Sequence, residues 1–520
     1  MVWPVSDPPL RLAELVGCLS LATDMAMGHP MEQGLGACMV ATRLAELSRL
    51  SAEEIARAYY LALLRHIGCT TERDGLAAMV GDEIALGASL DSLSGAKATE
   101  FMAAFFRFVT ADKGPAGKAK AVARLIGGMR EFEATNRAIC EVAQMLASRL
   151  GFDPPLPSEI AAVYERWDGK GMPNKVAGDR IPIPIRVTQI ADLAAGIHDL
   201  GLGDPAAVVR SRSGTGFDPH LAEVFVRHAP ELLAELEAPS RWDAVMAMEP
   251  GSGRLLTGEA RDHALRAVAE FADLQSTYLV GHSSGVSDLA RAAAGRLRLP
   301  SQDIDDVGGA GLVHDLGRIG VSAGTWSKRG PLTAGEWEAV RLHPYHTERV
   351  LNRAPSLARL AAVASAHHER MDGSGYFRGT ASTHLGPGPR LLAAADAYHA
   401  MTEPRPHRPA HPPDRAAEEL RAEVRAGRLD RECADAVLEA AGHRVGRRKE
   451  YAAGLSPREV EVLRLVARGL PTKAIARELV VSPKTAENHI HSIYGKAGVT
   501  TRAAATVFAM QHGLMDTLAD

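Results

Sequence analysis

The chain has 520 residues, 46% of them hydrophobic and 23% charged, a length that calls for several domains and a composition ordinary for globular proteins. A formal charge of −4 argues against a polycation that coats nucleic acid along its whole surface, so any DNA contact must come from a local module. Five cysteines (Cys18, Cys38, Cys69, Cys140 and Cys433) lack C-x-x-C spacing, which argues against a disulfide framework and a thiolate zinc site.

The opening residues, MVWPVSDPPL, hold neither a basic region nor an apolar core, and no run spans a bilayer's length without Gly or charge. The expectation is a cytoplasmic protein with no signal peptide and no membrane segment. Apolar residues recur at helical spacing over 55–64, 101–109, 265–279 and 460–466, while strand-like alternation is scarce. An all-α chain is predicted.

An internal repeat organises the first 443 residues. Glu165-Arg166-Trp167-Asp168-Gly169-Lys170-Gly171 reads against Glu369-Arg370-Met371-Asp372-Gly373-Ser374-Gly375. The register then holds without a gap: Arg186 and Arg390 follow their glutamates by 21 positions, Asp192 and Asp396 by 27. Upstream, Gly28-His29-Pro30 matches Gly281-His282-Ser283, and Leu63-Leu64-Arg65-His66-Ile67-Gly68 matches Leu312-Val313-His314-Asp315-Leu316-Gly317. Two copies of one helical domain are therefore expected, at 1–235 and 263–443, with a Pro- and Gly-bearing linker at 236–262.

The first copy has lost polar groups that the second keeps. Arg65 and His66 stand opposite His314 and Asp315, and Val163 and Tyr164 stand opposite His367 and His368. Only His29 and Asp192 remain, too few to hold an ion. His198-Asp199-Leu200-Gly201 imitates His314-Asp315-Leu316-Gly317, but the register sets His198 opposite Thr402, so a helix end or loop is expected there. The first copy is expected to serve dimerisation, folding support or effector binding.

The second copy sets out seven metal-grade side chains: His282, His314, Asp315, His343, His367, His368 and Asp396. A hard divalent ion that activates water needs such a mixed imidazole and carboxylate shell. The two adjacent pairs fall on helical patterns. Asp315, with two oxygens, suits a bridge between two ions. His282 and Asp396 would close the first ion's shell, and His343 would join His367 and His368 around the second. Arg318, four residues after His314, is placed to hold a substrate phosphate.

These motifs, with Leu342-His343-Pro344 and His367-His368-Glu369-Arg370-Met371-Asp372-Gly373-Ser374-Gly375-Tyr376, resemble the HD-GYP branch of the HD phosphohydrolases. The resemblance implies a helical bundle, a dinuclear iron or manganese centre and hydrolysis of cyclic di-GMP. Asp315 and Arg318 would be the catalytic residues. The chain departs from the family pattern at Phe377 for Pro, Arg318 for Lys, His399 for Asp, and Arg405-Pro406-His407 for Arg-Pro-Tyr. Arg and Lys are not interchangeable at a phosphate.

A basic stretch from Arg444 to Lys449 marks a linker at 444–453 and is a candidate phosphate contact beside a DNA-binding head. Residues 454–520 then read as four short helices. Ser456-Pro457-Arg458-Glu459 is a capping box, Thr472 is positioned to cap a second helix, and Ser482-Pro483 opens a third after the short turn Val480-Val481. This is helix-turn-helix geometry. Leu455 to Leu463, Lys473-Ala474-Ile475-Ala476, Ser482-Pro483-Lys484-Thr485, His489 and Lys496-Ala497-Gly498-Val499 resemble the LuxR-type helix-turn-helix, with Ala486 and Ala497 as small apolar departures. The resemblance implies that Glu487, Asn488 and His491 face bases, and that Lys473, Lys484, Thr485 and Lys496 face phosphates of double-stranded DNA. Such heads act as dimers, so a homodimer is expected.

The fold expected is thus two tandem HD-type bundles followed by a four-helix head. The leading functional expectation is a DNA-binding transcriptional regulator controlled by a metal-containing HD-GYP-like domain. The alternative is a metal-dependent phosphodiesterase, for cyclic di-GMP or a related phosphoester, with a DNA tether. A third keeps the metal and removes the turnover: a nucleotide sensor that shifts dimer geometry.

Overall fold

The computed structural model of the protein describes residues 8–70, 73–90, 98–111, 114, 137–444, 451–512 and 514; the basic stretch predicted after Arg444 lies outside them. Among the described residues the chain is helical throughout, apart from Leu10–Arg11 paired antiparallel with Leu255–Leu256. None of the described helices is long and apolar enough to cross a membrane. The chain divides into two compact units, Met1–His443 and Arg444–Asp520.

Three of the four helical periodicities become the helices Ala52–Leu64, Ala98–Thr110 and Pro457–Ala467. The first is opened by a reciprocal box between Ser51 and Glu54, which satisfies two amides that a helix start leaves unpaired. The fourth departs from expectation. The helix Gly258–Asp273 stops short of residue 279, and His282–Arg296 starts anew. Asp273 supplies the reason: its carboxylate accepts from the Ser283 amide at 2.9 Å and the Ser283 hydroxyl at 2.6 Å, so the chain must fold back.

The repeat is visible as duplicated hydrogen bonding. Glu165 accepts from the amides of Asn174 (2.7 Å) and Val176 (2.9 Å). Glu369 accepts from those of Arg378 (2.8 Å) and Thr380 (2.7 Å). Arg186 pairs with Asp218 as Arg390 pairs with Asp430. A Cβ on Gly171 would lie 2.3 Å from the Arg166 nitrogen, and one on Gly375 2.5 Å from the Arg370 nitrogen, so both turns need glycine for close backbone approach.

Residues 236–262, expected as a linker, are packed. The helix Arg241–Ala247 buries Trp242 and Val245, and the Val245 carbonyl accepts from the Tyr59 hydroxyl at 3.0 Å. Arg241 binds Asp199 at 2.7 Å. That pair also accounts for the misleading His198-Asp199: it closes the helix Ile183–Leu200, with Gly201 in the left-handed conformation that ends helices.

The two copies pack on each other. The helix Leu12–Met27 lies against the 3₁₀ segment Leu316–Gly320 and the helix His343–Leu351. Glu14 accepts from the Ser356 hydroxyl at 2.8 Å. Buried Arg73 pairs with buried Glu83, which also accepts from the Ser322 hydroxyl and the Ala323 amide, each at 2.8 Å. The first copy therefore braces the segment that follows His314-Asp315.

In the C-terminal unit the helices run Pro457–Ala467, Thr472–Glu478, Pro483–Ala497 and Arg502–Gln511. Val460, Leu463, Ile475, Ala486, Ile490 and Ile493 form its core. The capping box at Ser456 and the cap at Ser482 are in place. Thr472 is the first helical residue and not the cap: Pro471 occupies the cap position without a side-chain bond.

Candidate metal centre and DNA-binding face

All seven predicted ligands converge. The pairs do not lie inside helices, however. The helix Ser301–Val313 ends just before His314 and Asp315, and Ala358–Ala364 ends before a turn carrying His367 and His368. His343 follows the end of the helix Ala334–Arg341. Helix C-termini leave carbonyls without partners, and three histidines take them up. Nδ1 of His314 donates to the Gly311 carbonyl (2.8 Å), that of His343 to Val340 (2.6 Å), and that of His367 to Ala364 (2.6 Å). A carbonyl only accepts, so each Nδ1 carries a proton, and each ring turns its Nε2 toward the centre.

Asp315 divides these rings into two sets. Its Oδ2 faces Nε2 of His282 (3.5 Å) and of His314 (3.2 Å). Its Oδ1 faces Nε2 of His343 (3.6 Å) and of His367 (3.5 Å). Asp396 Oδ1 lies 3.3 Å from His282 Nε2, and its Oδ2 lies 4.0 Å from His368 Nδ1. Three clusters result, His282 with His314 and Asp315, His343 with His367 and His368, and His282 with His399 and Glu403, each with donor atoms within 4.8 Å of one another.

The chemistry of this nest demands cations. Asp315 is 1% exposed, yet neither of its oxygens has a hydrogen-bond partner; the same holds for Nε2 of His282 and of His314 and for Oδ1 of Asp396. Unpaired buried groups of this kind cost stability unless something binds them. Burial alone would raise the Asp315 pKa, but Arg318 and His314 hold it well below the usual carboxylate range. Burial pushes His343 and His368 well below the ordinary imidazole range, keeping them neutral. Two buried carboxylates and five histidines, with the Nε2 atoms of His282 and His314 and both Asp315 oxygens without a hydrogen-bond partner, fit divalent ions.

Arg318 is buried against this set, 2.9 Å from Asp315 Oδ2, with its guanidinium 4.9 Å over the Trp326 ring. Tyr376 covers His368, ring to ring at 4.6 Å, and the neighbouring Phe377 packs on Tyr345 at 5.7 Å. Arg405 is half-buried 3.0 Å from Glu403.

Sequence reasoning missed Glu403 and Trp326. Glu403 accepts from His282 Nδ1 at 2.8 Å. Its signal was present: it follows Asp396 by seven residues, two helical turns along the same stripe. Trp326 had no local signal, because it reaches the site across a turn.

In the C-terminal unit, Lys473, Lys484, Thr485, Asn488 and His491 are exposed and Glu487 is half-exposed. Lys484 pairs with Glu487 at 3.0 Å, and His491 Nδ1 donates to the Glu487 carbonyl at 3.0 Å. Lys496 differs from the rest of the predicted set: its ammonium binds Glu459 at 2.8 Å and the Gly454 carbonyl at 3.3 Å, tying the third helix to the first.

Comparison with known proteins matches these two regions separately. Residues 266–433 match the HD domain family and residues 453–509 the bacterial regulatory proteins of the luxR family. The 3'3'-cGAMP-specific phosphodiesterase 3 of Vibrio cholerae is 27% identical over 433 residues, 79% of this chain and 91% of that protein. The crystal structure of a cyclic GMP-AMP specific phosphodiesterase of V. cholerae shares the fold, with a TM-score of 0.57 at 24% identity over 84% of this chain and 99% of that one. The "Probable transcriptional regulatory protein NarL" of Mycobacterium tuberculosis is 48% identical over 62 residues, 12% of this chain and 29% of that protein.

Proposed function

From an HD domain and a LuxR-type DNA-binding domain carried by one chain, we propose a DNA-binding transcriptional regulator whose affinity for DNA is set by a metal centre in the HD domain. The observation that carries this reading is Asp315, buried beside Arg318 with each oxygen turned to its own pair of imidazoles. His282, His314 and Asp396 would hold one ion, and His343, His367 and His368 the other, with Asp315 between them. Such an ion pair, manganese or iron, clamps a phosphoester and supplies hydroxide at neutral pH.

The chain's own residues would do the rest. Arg318, fixed by Asp315 and Trp326, would meet a substrate phosphate, and Arg405 lies on the side of Glu403. Tyr376 and Phe377 would border the ligand where the ring of Tyr376 covers His368. The relative named for 3'3'-cGAMP covers most of this chain, which favours a cyclic dinucleotide as the ligand. On the DNA side, Asn488, His491 and Glu487 would face bases and Lys473, Lys484 and Thr485 phosphates, with the chain acting as a homodimer. Lys496, held by Glu459, is left out of that set.

The test measures salt-dependent DNA binding by the full chain, with and without manganese and 3'3'-cGAMP. Binding that changes with metal or nucleotide is expected; absence of DNA binding under every condition sinks the regulator reading. A second reading, a phosphodiesterase with a DNA tether, is favoured by the complete ligand set. It expects turnover of 3'3'-cGAMP or cyclic di-GMP in metal-loaded protein. Tight nucleotide binding without product would instead favour a sensor, in line with the departures at Phe377 and His399.

A further inference from the structure

His282 stands apart from the other three rings of the centre whose Nδ1 has a hydrogen-bond partner. His314, His343 and His367 are oriented by neutral backbone carbonyls, but His282 Nδ1 meets the Glu403 carboxylate at 2.8 Å. Glu403 is itself clamped. Arg405 binds its Oε2 at 3.0 Å, and His399 Nδ1 lies 3.3 Å from its Oε1. His399 lies there because Gly285 makes room: a Cβ at Gly285 would sit 2.0 Å from His399 Nε2. Glu403, backed by Arg405 and His399, thus meets the Nδ1 of His282, whose opposite nitrogen faces Asp315 and Asp396.

We infer that Glu403 is a positioning residue for the ion held by His282, His314 and Asp396, fixing the His282 tautomer and strengthening that nitrogen as a donor. His399 and Gly285 serve by holding Glu403 in place. A carboxylate behind a ligating imidazole raises its basicity and locks its plane, and removing such a partner weakens metal affinity by roughly 10- to 100-fold. The second cluster, His343 with His367 and His368, has no carboxylate behind its rings among the bonds described and should keep its affinity. The inference rests on the two-ion reading above.

The test titrates manganese into metal-free wild-type protein and into Glu403→Gln, following bound metal directly and the electron paramagnetic resonance spectrum. Glutamine keeps an acceptor for His282 but removes the charge, and circular dichroism of the metal-free protein checks that the variant is folded. Wild type should bind two ions with a coupled spectrum. Glu403→Gln should lose affinity for one ion by roughly 10- to 100-fold, leaving a spectrum of isolated manganese, while the other ion is held as tightly as in wild type. His399→Phe, which leaves Glu403 without its second clamp, should give a smaller loss in the same direction. Two ions bound equally tightly by wild type and Glu403→Gln would overturn the inference alone. Failure of wild type to bind any manganese or iron would instead overturn the two-ion reading.

Discussion

At matching register, the two copies solve the same electrostatic problem differently. In the first, Asp192 is buried among cations that belong to the chain: Arg65 at 2.8 Å and His66 at 3.0 Å. In the second, one guanidinium, Arg318 at 2.9 Å from Asp315, serves two buried carboxylates, Asp315 and Asp396, and the rest of their surroundings are histidines, of which burial keeps His343 and His368 neutral. Arg65 occupies the position of His314. Arg65 and His66 together supply the charge that balances the single carboxylate of Asp192. A buried carboxylate needs a countercharge, and the two copies differ in how much of it the chain supplies: four positions change between them, Arg65, His66, Val163 and Tyr164 against His314, Asp315, His367 and His368.

The sharpest way to break this contrast is Asp315→Ala. It should abolish retention of both ions after dialysis, and with them any phosphodiesterase turnover, by about 10³-fold or more; elemental analysis and product formation measure both. Retention of two ions would mean that Asp315 is not the shared ligand. Next in size is Asp192→Asn in the first copy. It leaves Arg65 buried without a countercharge and should lower the stability of the first unit by about 3–5 kcal/mol, read from urea unfolding, with no change in metal content of folded protein.

A smaller effect lies in pH. Burial would lower the His66 pKa, but the charge and hydrogen bond of Asp192, and then Cys69, raise it to about 10. Its contribution to stability is therefore complete below the unfolded value of about 6.5 and is lost as pH rises through about 10. The lowered pKa of Asp192 works oppositely, with stability present above the usual carboxylate range and lost in acid. His66→Gln should flatten the alkaline limb of the stability profile and weaken the acid limb, which Arg65 still supports; an unaltered alkaline limb would show that His66 is not bound as described. The smallest effect is Ser456→Ala, which should cost about 1 kcal/mol in the unfolding of the C-terminal unit alone, with calorimetry resolving the two transitions.

The convergence of these seven side chains was legible in the sequence because the repeat supplied its own control: the first copy showed which positions could change without loss of the fold. The helix-turn-helix was legible because Ser456, Ser482 and the buried Ala486, Ile490 and Ile493 obey local rules of capping and periodicity. Three features were not. That helices break before His314 and His367 depends on histidine rings claiming terminal carbonyls, a choice made only when the site assembles. The packing of 236–262 depends on Trp242 meeting Gly17, whose absent side chain leaves room for the indole. Lys496 looks identical on paper whether it faces phosphate or Glu459.

The glutamate cradles of the two turns have a consequence for redesign. Glu165 and Glu369 hold their loops through backbone amides, and the residues so held differ completely: Asn174 and Val176 in one copy, Arg378 and Thr380 in the other. A loop fixed by its main chain is tolerant of rewriting at its side chains. The stretch from Tyr376 to Arg378 is thus open to library selection for altered nucleotide preference, while Glu369 and Gly375 are the two positions such a library must leave alone.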